Sequence, residues 1–340
     1  RAKKQLVQRF GRWYYVPLTE AEFESRFDDL VEVVPKLKNE AEFEDLMRKL
    51  QDERMKVEGG TPIKCVLVED SHIENRSIMI ILIHHVFGDG IVWIGAINAC
   101  AENGFEDLVK FRMQLGFNPL LELAGMFYGI IGFFQILMNL DLSKKQQPDP
   151  KREYVLSKEF DMKQMKAACK SMKAPFQASF FSILSTSMAE FNKRRAIKDT
   201  KMNVASAFSL APLITKREEM RNHNMIVQTT SELQITDDMH TAIKKAPKPD
   251  IFAAFGSFYK AMLLTSLPFD LGRFLLEKTR PTKPAWFAYS QIPIAMNHLV
   301  VNGSKMTSYT GMLRPGNKGH CGICAGTIGN VMQYGMVSDK

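Results

Sequence analysis

Two adjacent histidines, an aspartate and two glycines stand together in His84-His85-Val86-Phe87-Gly88-Asp89-Gly90, directly after the apolar run Ile80-Ile81-Leu82-Ile83. A neutral imidazole titrates close to cellular pH, so a histidine held at a dry cleft can take a proton from a hydroxyl and later return it to a leaving group. That chemistry suits acyl transfer to an alcohol. Side chains alternate across a strand, so His84 and His85 point to opposite faces, and at most one can meet a substrate while the other packs or hydrogen-bonds inside. We assign the chemical role to His85. Asp89, in a turn bracketed by Gly88 and Gly90, can hold the local backbone through an arginine or main-chain amides, which makes its role architectural. The competing reading makes both histidines satisfied core or turn residues.

The elements that position these residues are legible on either side. Residues 77–83 are a β-branched and aliphatic run of strand length, Gly88 and Gly90 let the chain reverse, and 90–103 reads as a helix with Trp93, Ile94 and Ile97 on one face. Upstream, 64–69 reads as a strand and 39–52 as a helix opened by an Asn-x-x-Glu capping box at Asn39 and Glu42. Downstream, 153–160, 202–210, 225–235, 285–292 and 321–334 have strand character. Residues 176–194 form a long helix with Phe180, Phe181, Leu184 and Met188 along an apolar stripe, and 251–267 a very apolar helix stopped by Pro268. Asp161 is the expected N-cap of one further helix, and Asp237-Asp238 the acidic start of another. This alternation fits mixed α/β sandwiches, and no repeat of short period appears.

At 340 residues the chain is long enough for two core-forming domains. Its hydrophobic content of 45% and charged content of 24% are those of a folded protein. The net charge is 45 minus 37, or +8, with small basic clusters at Lys144-Lys145, Lys193-Arg194-Arg195 and Lys244-Lys245. Such a balance suits an anionic lipid surface or a CoA phosphate, and equally an ordinary solvated surface. No RNP-like, zinc-finger or basic-helix pattern accompanies it, which argues against nucleic acid as a partner. Five cysteines, an odd number over a long chain, point to a reducing compartment. Cys321-Gly322-Ile323-Cys324 has no second CxxC to complete a zinc site, so these cysteines read as structural and no metal is expected.

Residues 120–140 (LLELAGMFYGIIGFFQILMNL) carry one charge, Glu122. As a helix they would extend about 30 Å, the thickness of a hydrocarbon core. Gln135, Asn139 and the spaced glycines Gly125, Gly129 and Gly132 equally suit a buried or interfacial helix. Pro148 and Pro150 make 141–152 the best linker. The expected organisation is therefore a first domain over 1–117, an apolar helix and linker over 118–152, and a second domain over 153–340.

His84 to Gly90 matches the HHxxxDG motif of the CoA-dependent acyltransferase superfamily, and the flanking sequence resembles its wax ester synthase/diacylglycerol acyltransferase branch. Lys4-Gln5-Leu6-Val7, Trp13-Tyr14-Tyr15 and the helix around Glu42 are similar to that family's N-terminal half. The strand from Arg152, the helix from Phe176 and the run from Ser290 to Asp339 are similar to its C-terminal half. The resemblance covers nearly all 340 residues, starting after the family's usual first segment and stopping before its usual last helix. It implies two chloramphenicol-acetyltransferase-like domains of mixed sheets and flanking helices with an active-site tunnel between them. It also implies catalytic His85, His84 and Asp89, a pocket including Ser290 and Gln177, acyl-CoA as substrate with no cofactor, and a lipid alcohol or diacylglycerol as acceptor.

Three departures stand out against that family. Gln177-Ala178 replaces its Asn-Asp pair, Ser290-Gln291-Ile292-Pro293-Ile294-Ala295 replaces Ser-Asn-Val-Pro-Gly-Pro, and Thr327-Ile328 replaces a Ser-Tyr pair. The rival expectation is a non-catalytic, membrane-associated scaffold working in a protein complex. Either way the expected setting is an intracellular membrane surface, at the endoplasmic reticulum or lipid droplet, with the mitochondrial membrane as an alternative.

Overall fold

A computed structural model describes residues 4–9, 12–53, 59–60, 63–73, 75–84, 88, 90–104, 119–142, 152–198, 200–209, 224–233, 241, 251–278, 285–295, 297–313 and 319–339. By backbone contacts the chain divides into two compact units. One is Arg1–Asp89 with Leu267–Phe274, the other Gly90–Ser266 with Leu275–Lys340.

The first unit opens with an antiparallel hairpin of β1 (Lys4–Arg9) and β2 (Arg12–Pro17). Then come α1 (Glu20–Glu24), α2 (Phe27–Leu30), β3 (Val31–Lys36), α3 (Glu40–Asp52), β4 (Ile63–Asp70) and β5 (Ile78–Ile83). β3 runs parallel to β4, and β5 antiparallel to it. Asn39 caps α3 as its sequence predicts, accepting from the Glu42 backbone N–H at 3.0 Å. The Glu42 carboxylate takes its bond from Lys38 N–H at 2.8 Å, one residue before the cap. Phe43, Met47 and Leu50 recur at helical spacing and are buried, as are Val66 and Val68 on one face of β4. Lys64, only 19% exposed, holds this sheet to α3's end by pairing with Glu32 at 2.9 Å and Glu53 at 3.1 Å.

The second unit contains α4 (Gly90–Cys100), α5 (Pro119–Met138), β6 (Arg152–Leu156), β7 (Phe160–Asp161), α6 (Met162–Ser171) and α7 (Phe176–Arg194). It continues with β8 (Lys201–Ser209), β9 (Asn224–Glu232) and α8 (Ile251–Ser266). α9 (Phe269–Lys278) starts in the segment belonging to the first unit. Then follow β10 (Ala285–Ala295), β11 (Leu299–Val301), β12 (Ser304–Met306), β13 (Gly319–Ile328) and β14 (Val331–Asp339). The main sheet has the order β6-β14-β13-β10-β8-β9, with β7 pairing the end of β14. β10 lies parallel to both β8 and β13, and the outer pairings are antiparallel.

Alternation along β10 and β13 separates two apolar layers. Phe287, Tyr289, Cys321 and Ile323 face α7, packing with Phe181 and its neighbours Phe180, Leu184 and Met188. Ile294 and Ile328 pack on the other side with Ile94 and Ile97 of α4 and with Leu299. Residues 237 and 238, expected to open a helix, lie outside the described residues, as does most of the 141–152 linker. Among the described residues no helix is long and apolar enough to cross a membrane. α5 instead packs along α8 (Gly129 beneath Tyr259, Gly132 beneath Lys260), so the two helices run parallel.

Candidate active site

β5 ends at Ile83, and His84, the next residue, is exposed. Gly88 is buried and Gly90 opens α4, so a strand precedes the stretch and a helix follows it as the sequence predicts. His85, Val86, Phe87 and Asp89 lie outside the described residues. The first unit thus carries His84 and Gly88, and the second carries Gly90, Ser290 and Gln177.

α4 is fixed to the main sheet at several points. Gly90 approaches Ile292 of β10 so closely that a Cβ there would lie 3.3 Å from Ile292 Cδ1. In the last turn of α4, the buried Asn98 donates from Nδ2 to Ile94 O at 2.8 Å and across to Ile294 O at 3.1 Å. Beyond its end, Asn103 donates to His298 O and accepts from Val300 N–H, both at 2.9 Å. Glu102 accepts from Gly303 N–H at 2.7 Å. A helix held along its length cannot slide, so its first residue, Gly90, is fixed within the second unit.

Ser290 lies two residues before Ile292 and therefore on the same face of β10. It stands in register with Cys324 of β13, so the two side chains lie side by side on that face. Burial pushes the Cys324 thiol up to about 12, against smaller opposing contributions from Gly311 N–H and Ser290, so at neutral pH it is a protonated partner rather than a nucleophile. Gly311 bridges to Cys324, and a side chain at 311 would begin 2.5 Å from the sulfur. Tyr289 and Tyr309 are raised above the usual tyrosine range, mainly by burial. The Tyr289 hydroxyl donates to Gln291 Oε1 at 3.2 Å on the α7 side.

Gln177 sits in the first turn of α7, exposed, on the side of the sheet opposite Ser290. The structure therefore brings Ser290 to the α4 face beside Gly90 and Ile292 but does not bring Gln177 there. Cys321 and Cys324 point to opposite faces of β13, an outcome of their odd spacing on a strand. Cys324, which the sequence reading took as a structural cysteine without placing it beside Ser290, and Asn98, which it did not single out, are further contributors. The register of β10 on β13 reveals the first. The second shows only as a lone polar residue on the apolar helix from Gly90 to Cys100.

No protein-family profile matches the chain, and no curated protein matches it by sequence. Solved structures do. A wax ester synthase/diacylglycerol acyltransferase from Marinobacter aquaeolei VT8 superposes with a TM-score of 0.60 at 11% identity, covering 99% of this chain and 79% of that one. A mutant starter condensation domain of rhizomide synthetase RzmA, in complex with C8-CoA, gives 0.53 at 10% identity over 99% and 76%. The first condensation domain of the calcium-dependent antibiotic synthetase, with a substrate analogue, gives 0.52 at 10% over 99% and 79%. At such identities the likeness is one of fold. The chain has the two-domain, condensation-type fold of CoA-dependent acyltransferases, as its sequence predicts.

Proposed function

We propose that the chain is an acyl-CoA-dependent O-acyltransferase esterifying a lipid alcohol, either a long-chain alcohol or diacylglycerol. One observation carries this reading: in a chain of acyltransferase-like fold, an apolar strand delivers the HHxxxDG stretch, and helix resumes at Gly90 against Ile292. The RzmA starter domain in complex with C8-CoA supports acyl-CoA as donor.

His85 removes the acceptor's hydroxyl proton as the oxygen attacks the thioester carbon. The tetrahedral intermediate then collapses, the carbon–sulfur bond breaks, and the imidazolium returns its proton to the CoA thiolate. The acyl group never bonds to the protein. Ser290, on the α4 face, is the candidate donor to the oxyanion, and Asp89 holds the turn. A membrane surface supplies the acceptor.

The test is release of CoA from palmitoyl-CoA in detergent solution, with hexadecanol or diacylglycerol, beside a His85→Ala variant. Acceptor-dependent release that falls on the order of a hundredfold or more in the variant is expected. The scaffold reading is favoured by Gln177-Ala178 standing where the family has Asn-Asp, with Gln177 exposed away from Ser290. No release with either acceptor from folded protein would select it.

A further inference from the structure

Residues 309–312 cross the α4 face of the main sheet as a strap laid on β13 and β14. Tyr309 packs into the layer beneath α4, and a Cβ on Gly326 of β13 would collide with its carbonyl. A Cβ on Gly335 of β14 would lie 2.5 Å from Gly311 O, and one on Gly311 2.5 Å from Cys324 Sγ. Backbone comes this close to a sheet only where side chains are missing. Thr310 Oγ1 donates to Cys324 O at 3.4 Å, and Gly311 bridges β13 at the same residue.

The strap therefore closes over the Cys324 sulfur, which is 4% exposed. Gly311 stands against the sulfur, and Ser290, its register partner on β10, lies beside it. The thiol is protonated at neutral pH, its titration pushed up to about 12 chiefly by burial. The Ser290 side chain draws that titration down, so the two polar groups are within electrostatic reach.

A serine hydroxyl has one proton to donate and two lone pairs, and its proton turns to suit its neighbours. A thiolate would claim that proton. A protonated thiol can instead donate its own to a serine lone pair and leave the serine proton free for another acceptor. We propose that Cys324 is the positioning residue of Ser290: its thiol donates to Ser290 Oγ, so that the serine proton is directed to the oxyanion of the tetrahedral intermediate. The role rests on the acyl-transfer reading, in which Ser290 faces that oxyanion. The alternative is a small buried residue that only packs.

Two measurements on the full chain separate these. The Cys324 S–H stretch is identified in the infrared as the band lost in Cys324→Ser, and it should move to higher frequency in Ser290→Ala, where its acceptor is gone. Both substitutions are close in size to the native side chain, so the spectrum does not depend on a variant that leaves a large cavity. In the palmitoyl-CoA assay, Cys324→Ala should lower kcat on the order of tenfold with KM unchanged, a part of the about hundredfold or more that loss of an oxyanion donor costs. Cys324→Ser, whose hydroxyl can donate instead, should recover most of that loss. In a Ser290→Ala background Cys324→Ala should cost nothing further, whereas a packing residue would cost the same in both. An S–H band unmoved by Ser290→Ala, a wild-type rate in Cys324→Ala, or equal losses in the two backgrounds would overturn the positioning role and leave acyl transfer standing. Absence of acceptor-dependent release from the wild-type chain would remove the acyl-transfer reading and the positioning role with it.

Discussion

Adding one methyl group at each glycine of α5 should sort the three positions by what that methyl meets. At Gly129 a Cβ would lie 2.5 Å from the Cβ of Tyr259 and 3.0 Å from the backbone nitrogen of Lys260, and at Gly125 it would lie 2.5 Å from the Cβ of Phe255. Those atoms move only if the helices move apart. At Gly132 the nearest atom is Lys260 Cδ at 3.1 Å, part of a flexible chain that can swing aside. Helix propensity favours alanine by about 1 kcal/mol at each site and so cancels between them. Overpacking costs about 1–3 kcal/mol where the neighbours cannot yield. Gly132→Ala should therefore be neutral or up to about 1 kcal/mol more stable, while Gly129→Ala and Gly125→Ala fall below it by about 1–3 kcal/mol. For a unit of this size 1 kcal/mol corresponds to about 2–4 °C, so calorimetric midpoints should separate by roughly 2–12 °C. Coincident midpoints for Gly129→Ala and Gly132→Ala would refute close glycine packing of α5 on α8.

Asn98→Ala should destabilise the second unit by about 1–3 kcal/mol, because Ile294 O loses its donor in a buried site. Asn98→Asp should be worse, since a carboxylate has no donor to offer two carbonyls, and urea unfolding of both variants checks the order. Among the cysteines, Cys100 is exposed and should alkylate first, whereas Cys169, Cys321 and Cys324 should react only on unfolding, as mass mapping after timed iodoacetamide would show. Cys324 also fixes a pH dependence. An unperturbed thiol titrates near 9.0 and the buried one at about 12, so in that window the folded chain keeps a proton the unfolded chain has lost. Stability must therefore fall as pH rises from 9 towards 12, and Tyr289 and Tyr309, raised in the same way, add to the loss above their ordinary value of 10.0. Cys324→Ala should flatten part of that slope in urea midpoints taken across the alkaline range.

Local signals carried far where one physical cause dominated. The apolar stripe and basic end of Phe176–Arg194 gave that helix its bounds, Asp161 caps the next helix upstream by accepting from Lys163 and Gln164 N–H, and Gly90 begins α4. Other signals were present and passed over. Asn302-Gly303, with φ of 49° and 71°, is the two-residue turn joining β11 to β12, and Asn-Gly is its usual chemistry. Thr19 and Glu22 form a complete capping box on α1. The strand expected over 285–292 runs on through Pro293 to Ala295, because β8 pairs β10 only through Tyr289 and the missing N–H falls where one neighbour has already gone. The placement of Ser290 and Gln177 was illegible for a different reason. Sequence gives each side chain a position on its own element, but which face of the sheet α4 and α7 cover is decided by the parallel pairing of β8, β10 and β13, a tertiary fact.

The place of β14 in the main sheet sets a timetable for making the protein. β14 bonds β13 on one edge and β6 on the other, and β6 is the first strand of that sheet to be synthesised. Everything from α6 to β13 must leave the ribosome before β6 meets its partner, and β10 likewise arrives long after β8, which it joins in parallel. The nascent second unit therefore spends most of its translation with open strand edges and closes late, in a slow step dominated by distant contacts. A ribosome that stopped short of Val331 would release two unpaired edges, β6 and β13, rather than a slightly shortened fold, and such a product belongs to the chaperones and proteases.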